Sequence, residues 1–165
     1  VEGAAGVTSS ELRDYATVVA ASVALLVFIV NVLSQARARR LDDMMRFNLL
    51  HQALFAPDGY LGRHLAQIEA GRMVRDRGDV SMEAKFQLML LDIERMAILA
   101  NIKAIPRATQ VYMLGSYAPH ILKLLTEDER RSMFWELAIS YLERIARDSE
   151  QYAKLPRKER RRFWR

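Results

Sequence analysis

Between Asp14 and Arg37 the chain carries no charged side chain, and this uncharged run, Tyr15 to Ala36, constrains everything else. Its 22 residues would rise about 33 Å as an α-helix, close to the thickness of a bilayer's hydrocarbon core. Three readings compete: a removable export signal, a buried core helix and a permanent membrane anchor. A soluble core helix of this length normally keeps a polar face, and VVAASVALLVFIVNVL has none. An export signal needs a basic stretch ahead of its apolar run. Here Glu2, Glu11, Arg13 and Asp14 precede it, a net acidic set, and the small-residue site Ala36-Arg37-Ala38 is interrupted by a charge. The pattern therefore predicts a retained transmembrane helix over residues 11–36, opened by a capping box from Thr8 to Glu11.

The flanks predict its orientation. Arg37, Arg39 and Arg40 crowd the C-terminal end, and basic residues resist translocation. Residues 1–10 are expected outside as a short extracytoplasmic segment, and everything after Arg37 is expected in the cytoplasm.

Within the span, Ala16, Ala20 and Ala24 recur every four residues with Thr17 and Ala21 beside them. Small side chains at that spacing let a second membrane helix approach closely. Other membrane protein subunits are the expected occupants, and a second copy of the chain would fit the same face. Alanine is common in membrane spans, so composition alone accounts for the pattern too.

Residues 37–155 read as one cytoplasmic domain, large enough for a hydrophobic core. The expected class is all-α: the transmembrane helix continues into an antiparallel helical bundle of about four to five helices. Met44, Phe47, Leu50, His51 and Leu54 share a helical face, Pro57-Asp58-Gly59 turns the chain, and Leu61, Leu65 and Ile68 mark a short helix stopped near Gly71. Ser81 is the expected cap of a helix running to about Ala104. It carries a seam of Met82, Phe86, Met89, Ile93, Met96 and Ala100, with a second apolar stripe of Leu91, Ile98 and Ile102. Two apolar faces predict a helix in the middle of the bundle. Pro106 opens the next helix, with Val111, Leu114, Ala118, Ile121 and Leu125 inward and a kink at Pro119. Thr126 and Glu129 form a capping box for a last helix with Phe134, Leu137, Ala138, Tyr141, Leu142 and Ile145 on one side, fading near Tyr152.

Catalytic and cofactor patterns are missing from the sequence. There is no cysteine, which removes thiolate chemistry, disulfides and cysteine metal ligands. The three histidines, His51, His64 and His120, lie on separate segments without a ligand-like spacing, so no metal is expected. Asp92 and Glu94, two apart, do not share a helical face, and Gly59, Gly62, Gly71 and Gly78 are too scattered to cradle a phosphate. No cofactor is expected. Met82, Met89 and Met96 fit core filling better than an adaptable groove, because Phe86 and Ile93 continue their stripe.

The charge sits in one place. The net +5 of the chain equals the excess carried by RKERRRFWR, its last nine residues. Residues 156–165 thus form a basic-aromatic tail on a neutral body: Arg157, Lys158, Arg160, Arg161, Arg162 and Arg165 with Phe163 and Trp164. Such a cluster attracts anionic lipid headgroups at about 1 kcal/mol per residue near the surface, or an acidic partner. The plainer alternative is a solvated end. A nucleic-acid binder spreads its basic residues over a folded face, so no nucleic acid is expected.

The span, the RARR flank and the strings FNLLHQALFAPDGY, FQLMLLDIERMAILANIKAI and VYMLGSYAPHILKLL together resemble an uncharacterised bacterial family, a domain of unknown function in small single-span membrane proteins with a cytoplasmic helical domain. The resemblance covers about residues 15 to 150 and implies a bacterial inner-membrane setting. It implies no functional residue. The expected function is that of a non-enzymatic, membrane-anchored interaction protein, an accessory or assembly subunit of an inner-membrane complex. The alternatives are a membrane-anchored sensor or small-ligand module with a pocket near Pro119, and an enzyme whose site assembles from dispersed polar residues.

Overall fold

A computed structural model describes residues 9–72 and 75–163. Thr8, which the expected first capping box requires, lies outside the described residues, as do Trp164 and Arg165. Among the described residues every regular element is helical: α1 (Ser9–Leu54), α2 (Tyr60–Glu69), α3 (Val80–Asn101), α4 (Arg107–Leu114), α5 (Ala118–Leu124), α6 (Glu127–Arg131), a 3₁₀ turn (Met133–Trp135), α7 (Glu136–Lys154) and α8 (Arg157–Phe163).

The chain divides into two units between Asp42 and Asp43, inside α1. The first is the apolar length of α1. It contains a stretch long and apolar enough to cross a membrane, and the most hydrophobic window has no buried residue. A soluble core helix would be mostly enclosed.

The second unit holds the core. Phe47 and Leu54 from the end of α1 join Tyr60, Leu61 and Ile68 of α2, the inner face of α3, Val111, Leu114, Ala118 and Ile121 of α4 and α5, and Ala138 to Ile145 of α7. α7 packs on α3, α4 and α5, and α2 packs on α3. Each fully buried side chain such as Phe86, Ile93 or Leu142 contributes about 1.5–3 kcal/mol. At Gly62 a Cβ would stand 2.0 Å from the Ala56 carbonyl oxygen, so only glycine lets α2 fold back this closely after the Pro57 turn.

Four local expectations are corrected. α3 is capped by Asp79, whose carboxylate accepts from the Met82 amide at 3.0 Å. Ser81 falls inside the first turn, too late to act as cap, and the helix ends at Asn101 instead of Ala104. Second, α3 buries one broad face only. Phe86, Met89, Leu90, Ile93, Met96, Ala97 and Ala100 are enclosed, whereas Ile98 and Ile102 of the second stripe are exposed and Leu91 is at the margin.

Third, Pro119 does not kink a continuous helix. The chain turns at residues 115–117 and α5 restarts at Ala118, which places Pro119 in a first turn where its missing amide leaves no bond unmade. Fourth, the last helix is interrupted. The Thr126–Glu129 capping box forms as expected, but α6 is short. Ser132 accepts from the Phe134 amide at 3.3 Å and caps a 3₁₀ turn instead. That turn leaves Met133 and Phe134 outside the core. The expected helices are thus cut into shorter ones at residues 115–117 and at Ser132.

Candidate functional site

The misplaced stripe of α3 makes a surface. Leu91, Arg95, Ile98 and Ile102 follow one another by four, three and four residues, one helical face. With Leu99 and the α1 residues Arg46, Leu49 and Leu50, the middle of that face lines a groove of about 440 Å³ whose walls are chiefly apolar. Leu49 is 62% and Ile98 52% exposed, while Arg95 is tied to Asp92 at 2.8 Å. The sequence pattern places Leu91, Ile98 and Ile102 on a packed second face, and the structure leaves that face outward.

The expected membrane-contact residues lie where helical spacing puts them. Ala16, Thr17, Ala20, Ala21 and Ala24 are all exposed along α1, as are Arg37, Arg39 and Arg40 at the end of the apolar run. Two hydroxyls within the run are satisfied internally: Thr17 donates to the Arg13 carbonyl at 2.9 Å and Ser22 to the Val18 carbonyl at 2.8 Å.

The basic end is helical. Pro156 terminates α7, and its carbonyl accepts from the Glu159 and Arg160 amides to start α8. Arg157, Arg160 and Arg161 then stand on one side and line a shallow cleft of about 320 Å³ with Tyr152, while Lys158 is exposed. Arg162 and Phe163 end this helix.

Sequence reasoning missed the most elaborate polar centre. Arg75, which lies between α2 and α3, is 5% exposed at its side chain. Its Nε donates to Glu83 at 2.9 Å and one terminal nitrogen donates to both Glu83 and Glu129, the latter at 2.7 Å. The other donates to Glu129 at 2.8 Å and to the Leu124 carbonyl at 3.2 Å. All five guanidinium hydrogens are engaged, and the plane lies 3.8 Å over the Phe86 ring. Burial alone would push the Glu129 carboxyl up, but hydrogen bonds from Arg75 and Thr126, with the charge of Arg75, outweigh it and hold the group at about 2. The signal that could have found it is the capping box itself: Glu129 has a second oxygen edge for a buried cation.

His51 and His64 act as packing groups. His51 donates from Nε2 to the Met113 carbonyl at 3.1 Å and stacks near Phe55, which meets Tyr117. Burial lowers its pKa, partly countered by that hydrogen bond. His64 bonds the Tyr60 carbonyl one turn back at 2.9 Å. Among the described residues no three histidines or carboxylates gather as a metal would require.

A second cleft, of about 400 Å³, opens where α3 gives way to α4. Lys103, Arg107, Gln110 and Arg144 line it with Ala100, Ile105 and Pro106. Arg107 pairs through Nε and one terminal nitrogen with the buried Asp148, and that pairing raises its pKa despite some burial. Gln110, itself buried, donates to the Ile105 carbonyl at 2.8 Å and accepts from Arg144 at 3.4 Å. Near Pro119, where a ligand pocket is the alternative expectation, Ala118 and Ile121 are fully buried and Pro119 itself is half-buried.

No protein-family model, no curated protein and no solved structure matches this chain.

Proposed function

We propose that this protein is a non-enzymatic, single-span subunit of the bacterial inner membrane whose helical bundle takes up an apolar helix of another subunit of a membrane complex. The groove between α1 and α3 carries this reading, because a folded unit with its own closed core still leaves Leu49, Ile98 and Ile102 outward. Contiguous exposed apolar surface on a folded domain marks an interaction site, and an amphipathic helix is the usual occupant of such a groove.

The apolar length of α1 supports the anchor. Its helix is unbroken, its window has no buried residue, and the hydroxyls of Thr17 and Ser22 return to their own backbone, as a bilayer without water favours. The small face of Ala16, Ala20 and Ala24 then packs on a partner span. Arg37, Arg39 and Arg40 hold the second unit on the cytoplasmic side, where the basic face of α8 meets anionic headgroups.

Purification from native membranes in mild detergent tests the groove. The wild-type chain should bring down a partner subunit that Leu49→Glu/Ile98→Glu loses while keeping its helical circular dichroism. Equal recovery by both would reject the groove as the docking face. Protease added to intact spheroplasts should leave residues 43–165 uncut. Digestion there would reverse the orientation.

A further inference from the structure

We propose that the cleft at the α3–α4 junction binds a phosphate group, as a phosphomonoester or diphosphate. Three cationic side chains from separate elements line one space: Lys103 from the junction, Arg107 from the first turn of α4 and Arg144 from α7. The carboxylate of Asp148 neutralises only one of them, through Arg107, and it is buried beneath. The cleft is therefore left with an excess of two positive charges. Its volume lies in the range of small-ligand sites.

The polar groups are held in place before any ligand arrives. Asp148 grips the Nε edge of Arg107, which leaves the guanidinium's opposite nitrogen available outward. Gln110 anchors on the Ile105 carbonyl and presents its oxygen to Arg144. Two arginines with fixed forks are suited to phosphate oxygens.

Lys103 supplies the second line of support. It has φ +59°, the left-handed conformation just past the end of α3, where glycine is the unstrained residue. Among the described residues no hydrogen bond or ion pair engages its ammonium group. A strained backbone carrying an unengaged cation over a basic cleft is the arrangement of a binding residue. None of these groups lines the apolar groove, so the two sites can be tested separately.

The phosphate has two candidate sources, a soluble phosphorylated molecule and a lipid headgroup. Titration calorimetry of the full chain in nonionic detergent with inorganic pyrophosphate, at constant ionic strength, reads the first. Flotation of the chain reconstituted beside vesicles containing phosphatidic acid reads the second. Lys103→Gly should weaken whichever binding occurs about tenfold while leaving the melting temperature unchanged or raised, because it relieves the left-handed strain. Arg144→Gln should weaken it similarly, and Arg160→Gln/Arg161→Gln in α8 should leave pyrophosphate binding intact. A pyrophosphate response identifies a soluble ligand. A response confined to vesicles, and lost in Lys103→Gly, identifies a headgroup. The proposal is overturned if neither probe binds at about 10 mM phosphate, or if both cleft variants bind as tightly as the wild type.

Discussion

The two units of this chain solve opposite solvation problems with the same backbone. In residues 43–165 most large apolar side chains turn inward, and Arg75, Gln110 and Asp148, polar groups drawn in with them, are held by hydrogen bonds. In the apolar length of α1 the side chains face outward, the backbone is closed in one unbroken helix, and the hydroxyls of Thr17 and Ser22 bond back to it. The comparison shows that hydrophobicity alone does not specify burial. What it specifies is a preference to leave water, satisfied by neighbouring helices in one unit and by the proposed bilayer in the other. Substitutions that destroy one unit should therefore leave the other untouched.

The sharpest break comes from Arg75→Met. It leaves Glu83 and Glu129 facing each other in a part-buried site, and the loss should be about 3–5 kcal/mol. Denaturant unfolding of the full chain in detergent, followed by the fluorescence of the half-buried Trp135, measures it. An unchanged midpoint would show that the ionic centre does not hold the second unit together. Next in size is Gly62→Ala, whose Cβ would overlap the Ala56 carbonyl and force α2 away from its turn at a cost of about 1–3 kcal/mol. The same fluorescence signal should report an earlier midpoint.

Acid should act more weakly and through one group. Glu129 is held at about 2 in the folded chain against an ordinary 4.5, so its stabilisation is complete above 4.5 and lost as pH falls through that interval. Allowing for solvent around a partly accessible pair, about 1–2 kcal/mol should disappear. Glu129→Gln should flatten the pH dependence of the melting temperature in that window. If the wild type and the variant lose stability in parallel, another group is responsible.

The smallest effect on the second unit belongs to the anchor. Ala20→Leu should reduce recovery of a partner span and Val27→Leu should not, because only the first thickens the small face. Neither should move the unfolding midpoint by more than about 0.5 kcal/mol. A shift produced by either would show that the two units are energetically coupled, and the contrast drawn above would fail.

What was legible in the sequence follows the same division. The uncharged run, the Pro57 turn, the α2 stripe, the Met89–Met96 seam and the Thr126–Glu129 box are local patterns, and each appears where its spacing puts it. The failures are of two kinds, local helix boundaries at Asp79, Ala118 and Ser132, and questions of what lies opposite. Leu90 and Ile98 are both apolar, yet one is enclosed and the other exposed because, among the described residues, α1 flanks the second face of α3 as a groove wall without covering it. Arg75 carries no local sign of burial, because its partners come from α3 and from the start of α6, the latter remote in sequence. Lys103, Arg107 and Arg144 likewise meet only after α7 has packed. Their one local hint is KAIPR, with a cation on each side of a helix break.

The centre around Arg75 also orders events in time. Its two carboxylates are eight and 54 residues away along the chain. By loop-closure entropy the distant one costs about 1.7 kcal/mol more to bring in. The Glu83 half can form while α3 is still a local structure, whereas the Glu129 half must wait until α6 arrives. Arg75 thus works as a latch that is set early and thrown late. Weakening its Glu129 side should leave the rate of folding nearly constant and shorten the lifetime of the folded chain.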